Sequence, residues 1–319
     1  MTKSDIALVG IDQIGIAIAL AIKSAVPDSA LVLIDQNSRR LREAGKYGKF
    51  DRSVSDLVAG CKDAALVILN LAPSQLAQAF TLIGPVLPVD GVVLDLSGAK
   101  ETTVRLAAEL LPEHVHYMGC HLILHPERAA ETGPSAAMFY GAVLCMTPTA
   151  ETDAGVIKIG SDLARALGAR PYFLEVAEHD GMIGGVEGLP GLLSAALALT
   201  TMQSEAWPEL SVLAGPLYDQ ALRPLIDPAL DNGAELTSNR AHVLRWLDTL
   251  QVTLRDLRRL IDEGQTDQLE QLFTAAAEKR TEWLNSKPLT AWRDEAGLPQ
   301  SDMKYQRPNP LLPHWGVKA

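Results

Sequence analysis

The stretch Ile6-Ala7-Leu8-Val9-Gly10-Ile11-Asp12-Gln13-Ile14-Gly15 carries an apolar run into a G-x-D-x-x-G turn. In the G-x-G-x-x-G form of this turn, the first glycine makes a tight bend and the second lets backbone approach a pyrophosphate. The third lets a helix pack closely on its strand. Gly10 and Gly15 keep the bend and the packing, whereas Asp12 brings a carboxylate to the place where phosphate would lie. Two unit charges ~5 Å apart interact by roughly 1 kcal/mol in water and roughly 3 kcal/mol at an effective dielectric near 20. Such repulsion weakens anion binding without forbidding it. Asp12 is also suited to cap the first helix, where an acid satisfies free N–H groups and complements the dipole. The candidate cofactor-binding residues therefore begin with Gly10, Asp12, Ile14 and Gly15. Asp35, which closes the run Ala30-Leu31-Val32-Leu33-Ile34, lies at the usual distance from the turn for an acid that binds an adenosine ribose diol. It favours NAD over NADP. Arg39 and Arg40 could accept a 2'-phosphate or simply sit at a solvated helix start.

A second cluster of reactive side chains is His114-Val115-His116, Cys120-His121 and His125. A zinc site needs three or four converging ligands with their outer hydrogen bonds in place. Strand alternation puts His114 and His116 on one face, but His121 and His125 follow in a loop, so no metal is expected. His179-Asp180 is a further catalytic candidate, with a structural acid at a helix start as the other reading. The chain has no G-x-S-x-G elbow, Walker loop or H-E-x-x-H, so hydrolase and nucleotidase chemistry lack motif support.

The elements that must hold these residues alternate in type. Strand, helix and strand follow one another from Ile6 to Ile34. Further strands are predicted at Ala64 to Leu71, Gly91 to Leu96, Val115 to Gly119 and Gly141 to Thr147, with a helix from Thr102 to Leu111 and a helix-strand pair from Ala154 to Leu174. This alternation implies a doubly wound, mostly parallel sheet of Rossmann type covered on both faces. Ligands of such sheets gather at the carboxyl ends of the strands, in the loops after Val9, Ile34, Leu71, Leu96 and Met118. Pro73, just past the third of these strands, joins the cofactor candidates.

From about Glu178 helical segments dominate, including Gly191 to Glu205, Leu236 to Ile261 and Thr266 to Leu284. The expected division is an α/β dinucleotide-binding domain over residues 1–176 and an all-helical domain over 177–319. The tail from Lys287 to Ala319 is expected to be irregular. Broad apolar faces on the helices predict a homodimer, and the apolar run Leu192 to Thr201 reads as a buried helix.

The formal charge of −11 argues against nucleic acid or an anionic membrane surface as partner, since both need a basic face. Three cysteines without a C-x-x-C pair indicate neither a disulfide framework nor a zinc ribbon. No signal segment and no apolar run long enough to span a bilayer are recognised, so a cytoplasmic protein with a small-molecule substrate is expected.

Taken in order, several motifs resemble the prephenate and arogenate dehydrogenases. They are Gly10 to Gly15, Asp95-Leu96-Ser97-Gly98-Ala99-Lys100, Tyr117-Met118-Gly119-Cys120-His121, and Glu178-His179-Asp180 followed by Leu189-Pro190. The resemblance runs from Ile6 to about Ile261. It implies a Rossmann domain joined to a helical dimerisation domain, and oxidation of a cyclohexadienol acid by hydride transfer to NAD with loss of carbon dioxide. It also implies that His121 accepts the proton of the ring hydroxyl, that Ser97 belongs to the loop holding that hydroxyl, and that an arginine binds the substrate, with Arg223 and Arg240 as candidates.

The chain departs from the family pattern at several points. Ser97 lies one place early in its loop, with Gly98 in the family's serine position, and Leu122 replaces a proline after the histidine. Glu187-Gly188-Leu189-Pro190-Gly191 replaces a Ser-His-Leu-Pro-His element. These losses leave two alternatives. One is a non-catalytic homologue in which Asp12 stands in for a phosphate and the dimer binds a ligand or partner. The other is a dehydrogenase or reductase of the same fold acting on another substrate, with Glu187 touching a cationic group.

Overall fold

The computed structural model describes residues 5–48, 50–128, 133–225 and 232–287. They form two compact units. One contains the described residues up to Leu71, Gln75–Val176 and Lys287; the other contains Ala72–Ser74 and Ala177–Ser286.

The first unit is built on one sheet of eight strands: β1 (Asp5–Val9), β2 (Ala30–Ile34), β3 (Arg52–Val54), β4 (Ala64–Leu69), β5 (Gly91–Asp95), β6 (Val115–Ile123), β7 (Val143–Thr147) and β8 (Arg170–Phe173). Their spatial order is β3-β2-β1-β4-β5-β6-β7-β8. All pairings are parallel except that of β6 with β7. The helices are α1 (Gln13–Ala25), α2 (Ser38–Tyr47), α3 (Leu57–Cys61), α4 (Pro73–Ile83), α5 (Lys100–Leu110) and α6 (Ala154–Leu167).

Central parallel strands are buried on both faces and so are apolar throughout, as the runs of β1 and β4 show. Alternate residues of β1 feed opposite cores. Ile6 and Leu8 pack with Ile16 and Ala17 of α1 and Ile159 of α6. Ala7 and Val9 join Phe80 of α4 and Ala107 of α5. The strand order turns back on itself between β1 and β4, the place where ligands of doubly wound sheets gather.

Two strands differ from expectation. β6 was expected to stop at Gly119 and runs on to Ile123, because β7 pairs antiparallel with Gly119–Ile123 beyond the point where its parallel neighbour β5 ends. Cys120 and His121 therefore lie on a strand and not in a loop. β3, Arg52-Ser53-Val54, is a short and mostly exposed edge with no apolar signature to announce it.

The second unit is helical among the described residues. Its elements are α7 (Val176–Ile183), a π-helical turn at Gly184–Gly188, α8 (Leu189–Met202), α9 (Trp207–Leu213), α10 (Pro216–Leu222), α11 (Asn232–Ser238), α12 (Arg240–Asp262) and α13 (Thr266–Asn285). Two expectations are corrected here. The π-helical turn lets α7 run through its glycines into α8, and the resulting helix, Val176–Met202, is long and apolar enough by length and composition to cross a membrane. Along the sequence this stretch is not an uninterrupted apolar run, since Gly184, Gly185, Gly188 and Pro190 punctuate it. Leu192 to Thr201 is also not buried. In α8 only Ser194 and Ala198 are enclosed, while Leu193, Leu199 and Met202 face outward. The irregular tail expected beyond Lys287 lies outside the described residues.

Candidate active site

The glycine turn is tight for a reason that backbone geometry makes plain. Gly10 has φ +89°, and a Cβ there would stand 1.9 Å from the carbonyl oxygen of Asn70. A Cβ on Gly15 would stand 2.1 Å from Gly10 O. Both positions exclude any side chain.

Asp12 is the N-cap of α1. Its Oδ1 accepts from Gly15 N at 2.8 Å and from Asn70 Nδ2 at 2.9 Å. Asn70, which follows β4, also donates from the same nitrogen to Gly10 O at 3.0 Å. Among the described residues, the N–H groups of Gln13 and Ile14 have no acceptor. They are the first and second helical positions, where the α1 dipole offers an anion its strongest attraction.

Asp35 lies directly behind this turn and is buried. Its Oδ2 accepts from Ile11 N at 2.9 Å and its Oδ1 from Asn37 N at 2.7 Å, while Arg40 approaches Oδ2 at 3.5 Å. The carboxylate thus ties the end of β2 to the turn and retains lone pairs for a further donor. Asn37 caps α2 by accepting from Arg39 N at 3.0 Å. Gly10, Asp12, Ile14, Gly15 and Asp35 are therefore brought together at the carboxyl ends of β1 and β2. Pro73 begins α4 just after β4.

A second set of groups gathers where β5 and β6 run side by side. Asp95 and Lys100 form a fully enclosed ion pair, Nζ to Oδ2 at 2.8 Å. Lys100 also donates to Asp95 O at 3.0 Å and to Ser97 Oγ at 3.4 Å. Ser97 gives its N–H to Asp95 Oδ1 at 2.8 Å and its hydroxyl proton to Oδ2 at 3.0 Å. The Tyr117 hydroxyl lies 3.0 Å from both Asp95 Oδ2 and Thr103 Oγ1. Burial alone would raise the Asp95 carboxyl, but the charge and hydrogen bond of Lys100, with the bonds from Ser97, hold it below its ordinary range. Burial and the Asp95 charge push the Tyr117 phenol upward.

The lysine stem lies across Gly119, where a Cβ would come within 2.8 Å of Lys100 Cδ and 2.6 Å of Thr147 Oγ1. His121 is two residues further along β6, opposite Cys145, and so shares the strand face of Tyr117 and Gly119. It is buried. Ser97 and His121 thus stand in the same region of the sheet, although the serine proton is already committed to Asp95. The neighbouring thiol of Cys120 is pushed up to about 12, chiefly by burial, which makes it unreactive.

The remaining histidines of this cluster are held separately. Glu127 N donates to His125 Nδ1 at 3.2 Å, which assigns the ring proton to Nε2, facing Lys287 O at 3.2 Å. His114 Nε2 lies 3.3 Å from Leu87 O and His116 Nε2 lies 3.6 Å from Asp90. No group of three or more His, Cys, Asp or Glu able to hold a metal occurs among the described residues.

In the second unit, His179 and Asp180 form a buried pair, Nδ1 to Oδ1 at 2.8 Å. Asn239, just before α12, donates to Asp180 O at 2.7 Å, and Trp246 Nε1 donates to Gly181 O at 2.7 Å. These bonds fix α12 against α7. Glu187 stands on the π-helical turn, a feature that often marks functional positions. It keeps access to solvent yet is crowded by protein, and this desolvation raises its carboxyl to about 7 against the attraction of His179. Arg223 and Arg240 are both exposed.

Asn70, Lys100, Thr103, Tyr117 and Asn239 escaped the sequence reading as site residues. One signal was available: Asn70 is a polar residue closing the apolar run of β4 at the ligand-binding end of the sheet.

A glycine turn opening α1 at the switch point of a doubly wound sheet, followed by a helical unit, defines a two-domain nucleotide-binding α/β protein. Its sequence narrows this further. Residues 18–173 match the nucleotide-binding domain of prephenate dehydrogenase and residues 175–275 its dimerization domain, and the chain belongs to the prephenate dehydrogenase family. The chain is 25% identical over 283 residues to the prephenate dehydrogenase of Bacillus subtilis, covering 87% of this chain and 76% of the relative. It is 23% identical over 278 residues to the cyclohexadienyl dehydrogenase of Zymomonas mobilis, covering 86% and 94%. The crystal structure of prephenate dehydrogenase from A. aeolicus with hydroxyphenyl propionate and NAD+ shares the fold, with TM-score 0.76, 19% identity and coverage of 88% and 99%. Synechocystis arogenate dehydrogenase gives TM-score 0.67 at 21% identity, with coverage of 88% and 99%.

Proposed function

We propose that this protein is an NAD-dependent dehydrogenase that oxidises prephenate or a related cyclohexadienol acid with loss of carbon dioxide. The observation that carries this reading is the turn at the start of α1: Gly10 and Gly15 are in place, and the N–H groups of Gln13 and Ile14 have no acceptor among the described residues. The residues present fit a dinucleotide. Gln13 and Ile14 would hold the pyrophosphate, Asp35 the ribose diol, and Pro73 would flank the cofactor beyond β4. When bound, NAD supplies the acceptor for the hydride.

In this reading His121 takes the proton of the ring hydroxyl, a task suited to an imidazole near neutral pH. Ser97, bonded to Asp95, fixes the loop beside it. His179, oriented by Asp180, is the catalytic candidate of the second domain, and the domain division is taken as 1–176 and 177–319. The relatives named above, one a prephenate dehydrogenase and one a cyclohexadienyl dehydrogenase, support the substrate class.

The same reading includes a homodimer in the cytoplasm, with neither nucleic acid nor membrane as partner. The family's dimerization domain and the outward-facing Leu193, Leu199, Val212 and Leu213 support the dimer. The net charge of −11 supports the absence of nucleic acid and of an anionic membrane surface as partners.

Thermal unfolding with NAD and NADH tests the cofactor, since a ligand at a hundred times its Kd adds about 2.7 kcal/mol to the folded state. A clear shift, followed by turnover of prephenate or arogenate, is expected. No shift at millimolar cofactor would favour the second reading, a non-catalytic homologue. The cap made by Asp12 supports that alternative, because its carboxylate already occupies the Gly15 N–H. In that case Asp12→Gly gains NAD affinity without gaining turnover.

A further inference from the structure

We propose that Asn70 is a positioning residue for the cofactor: it holds the Asp12 carboxylate on the Gly15 N–H and so keeps the Gln13 and Ile14 N–H groups open to a pyrophosphate. The inference rests on the nucleotide-binding reading above.

An aspartate at a helix N-cap accepts from either the second or the third helical N–H. For α1 these are Ile14 N and Gly15 N. The choice decides what is left for a ligand. If the carboxylate turned to Ile14 it would consume one of the two N–H groups that an incoming phosphate needs and would lie across its path. It takes Gly15 instead, and a second donor, Asn70 Nδ2 at 2.9 Å, reaches the same oxygen. Two donors converging on Oδ1 favour the third-position bond over the second.

Asn70 is well placed to hold that geometry. Its side-chain nitrogen also donates to Gly10 O at 3.0 Å, and its own N–H donates to Val9 O at 2.9 Å. Its carbonyl packs so close to Gly10 that no Cβ could stand between them. The residue therefore grips the turn from the end of β4, a strand buried along its whole length. An amide is the side chain the task requires: it presents two N–H donors, one for a carbonyl and one for a carboxylate. The carboxylate that replaces the second glycine is thus accommodated by a partner from another strand.

The test is a double-mutant cycle on the full chain, titrating NADH and, separately, adenosine, which lacks phosphate. Asn70→Ala is expected to weaken NADH binding roughly five- to tenfold with Asp12 present, to leave adenosine binding unchanged, and to have no effect in the Asp12→Gly background. Asn70→Ser, which is too short to reach both acceptors, gives the same pattern more weakly and serves if the alanine variant does not fold. An equal loss in both backgrounds, or an equal loss for adenosine, would show Asn70 to be merely structural and would overturn the proposal. So would a native protein that fails to bind NADH while Asp12→Gly binds it. If neither protein binds NADH, the nucleotide-binding reading itself fails.

Discussion

Asp95 in the first unit and Glu187 in the second are both carboxylates with a basic side chain nearby, yet their surroundings drive them in opposite directions. Asp95 is wholly enclosed and is held below its ordinary value, because Lys100, Ser97 and the Ser97 N–H all donate to it. Glu187 still reaches solvent and is raised to about 7, because desolvation outweighs the attraction of His179. Burial alone therefore does not decide ionisation; the number and charge of the donors around the group do. The first region is a completed network in which each buried charge is compensated by its neighbours. The second is an acid on a π-helical turn whose ionisation is disfavoured by desolvation, the kind of group that functional sites tend to hold.

The largest effect should come from breaking the completed network. Lys100→Met leaves Asp95 buried without its cation and is expected to cost about 3–5 kcal/mol in denaturant unfolding. Pairing it with Asp95→Leu should recover much of that loss, since two apolar groups replace two charges. A double variant as unstable as the single one would show that the pair contributes by more than mutual charge compensation.

Next in size is the effect on turnover. His121→Ala is expected to lower kcat about 10²- to 10⁴-fold while leaving NADH affinity unchanged in titrations. A loss confined to KM would remove His121 from proton transfer.

The pH dependence follows from the same contrast. Asp95 has its folded value depressed below the ordinary 3.8, so its contribution is present above that value and is lost as pH falls through the lower folded one. Acid unfolding of the native protein should steepen there, and the double variant at Asp95 and Lys100 should lack this component. Glu187 has the opposite sign. Its folded value of about 7 lies above the ordinary 4.5, so its contribution is complete below 4.5 and is lost as pH rises toward 7. Glu187→Gln should therefore flatten the decline in melting temperature across that window, by a small amount given the group's access to solvent. An unchanged slope would show that Glu187 titrates normally.

Much of the fold could be read along the chain because its signals are local. The apolar runs of β1, β2, β4 and β5 are those of strands covered on both faces, and Gly10 and Gly15 stand where only glycine fits. The long apolar periodicities of α12 and α13 likewise announced helices. The strand extension to Ile123 was not legible, because it depends on β7 arriving antiparallel from further along the chain. Nor was the continuous helix Val176–Met202, since glycines and a proline forecast breaks that the π-helical turn absorbs. In the site, the motif Asp95 to Lys100 was visible as a string of residues, but nothing in it showed that the lysine would be fully enclosed against Gly119.

By itself the sequence determined the period of the elements, the glycine turn with an acid at Asp12 suited to cap it, the acid at Asp35 and the order of motifs that marks the family. These follow from local sterics and spacing, which act between near neighbours. Only the tertiary structure decided where the Asp12 carboxylate points, through an Asn70 that is 58 residues away in the chain. It likewise decided that Asp95 is held ionised and that Glu187 is raised to about 7. Hydrogen bonding and desolvation depend on what lies within a few ångströms in space, and the folded chain alone supplies those neighbours.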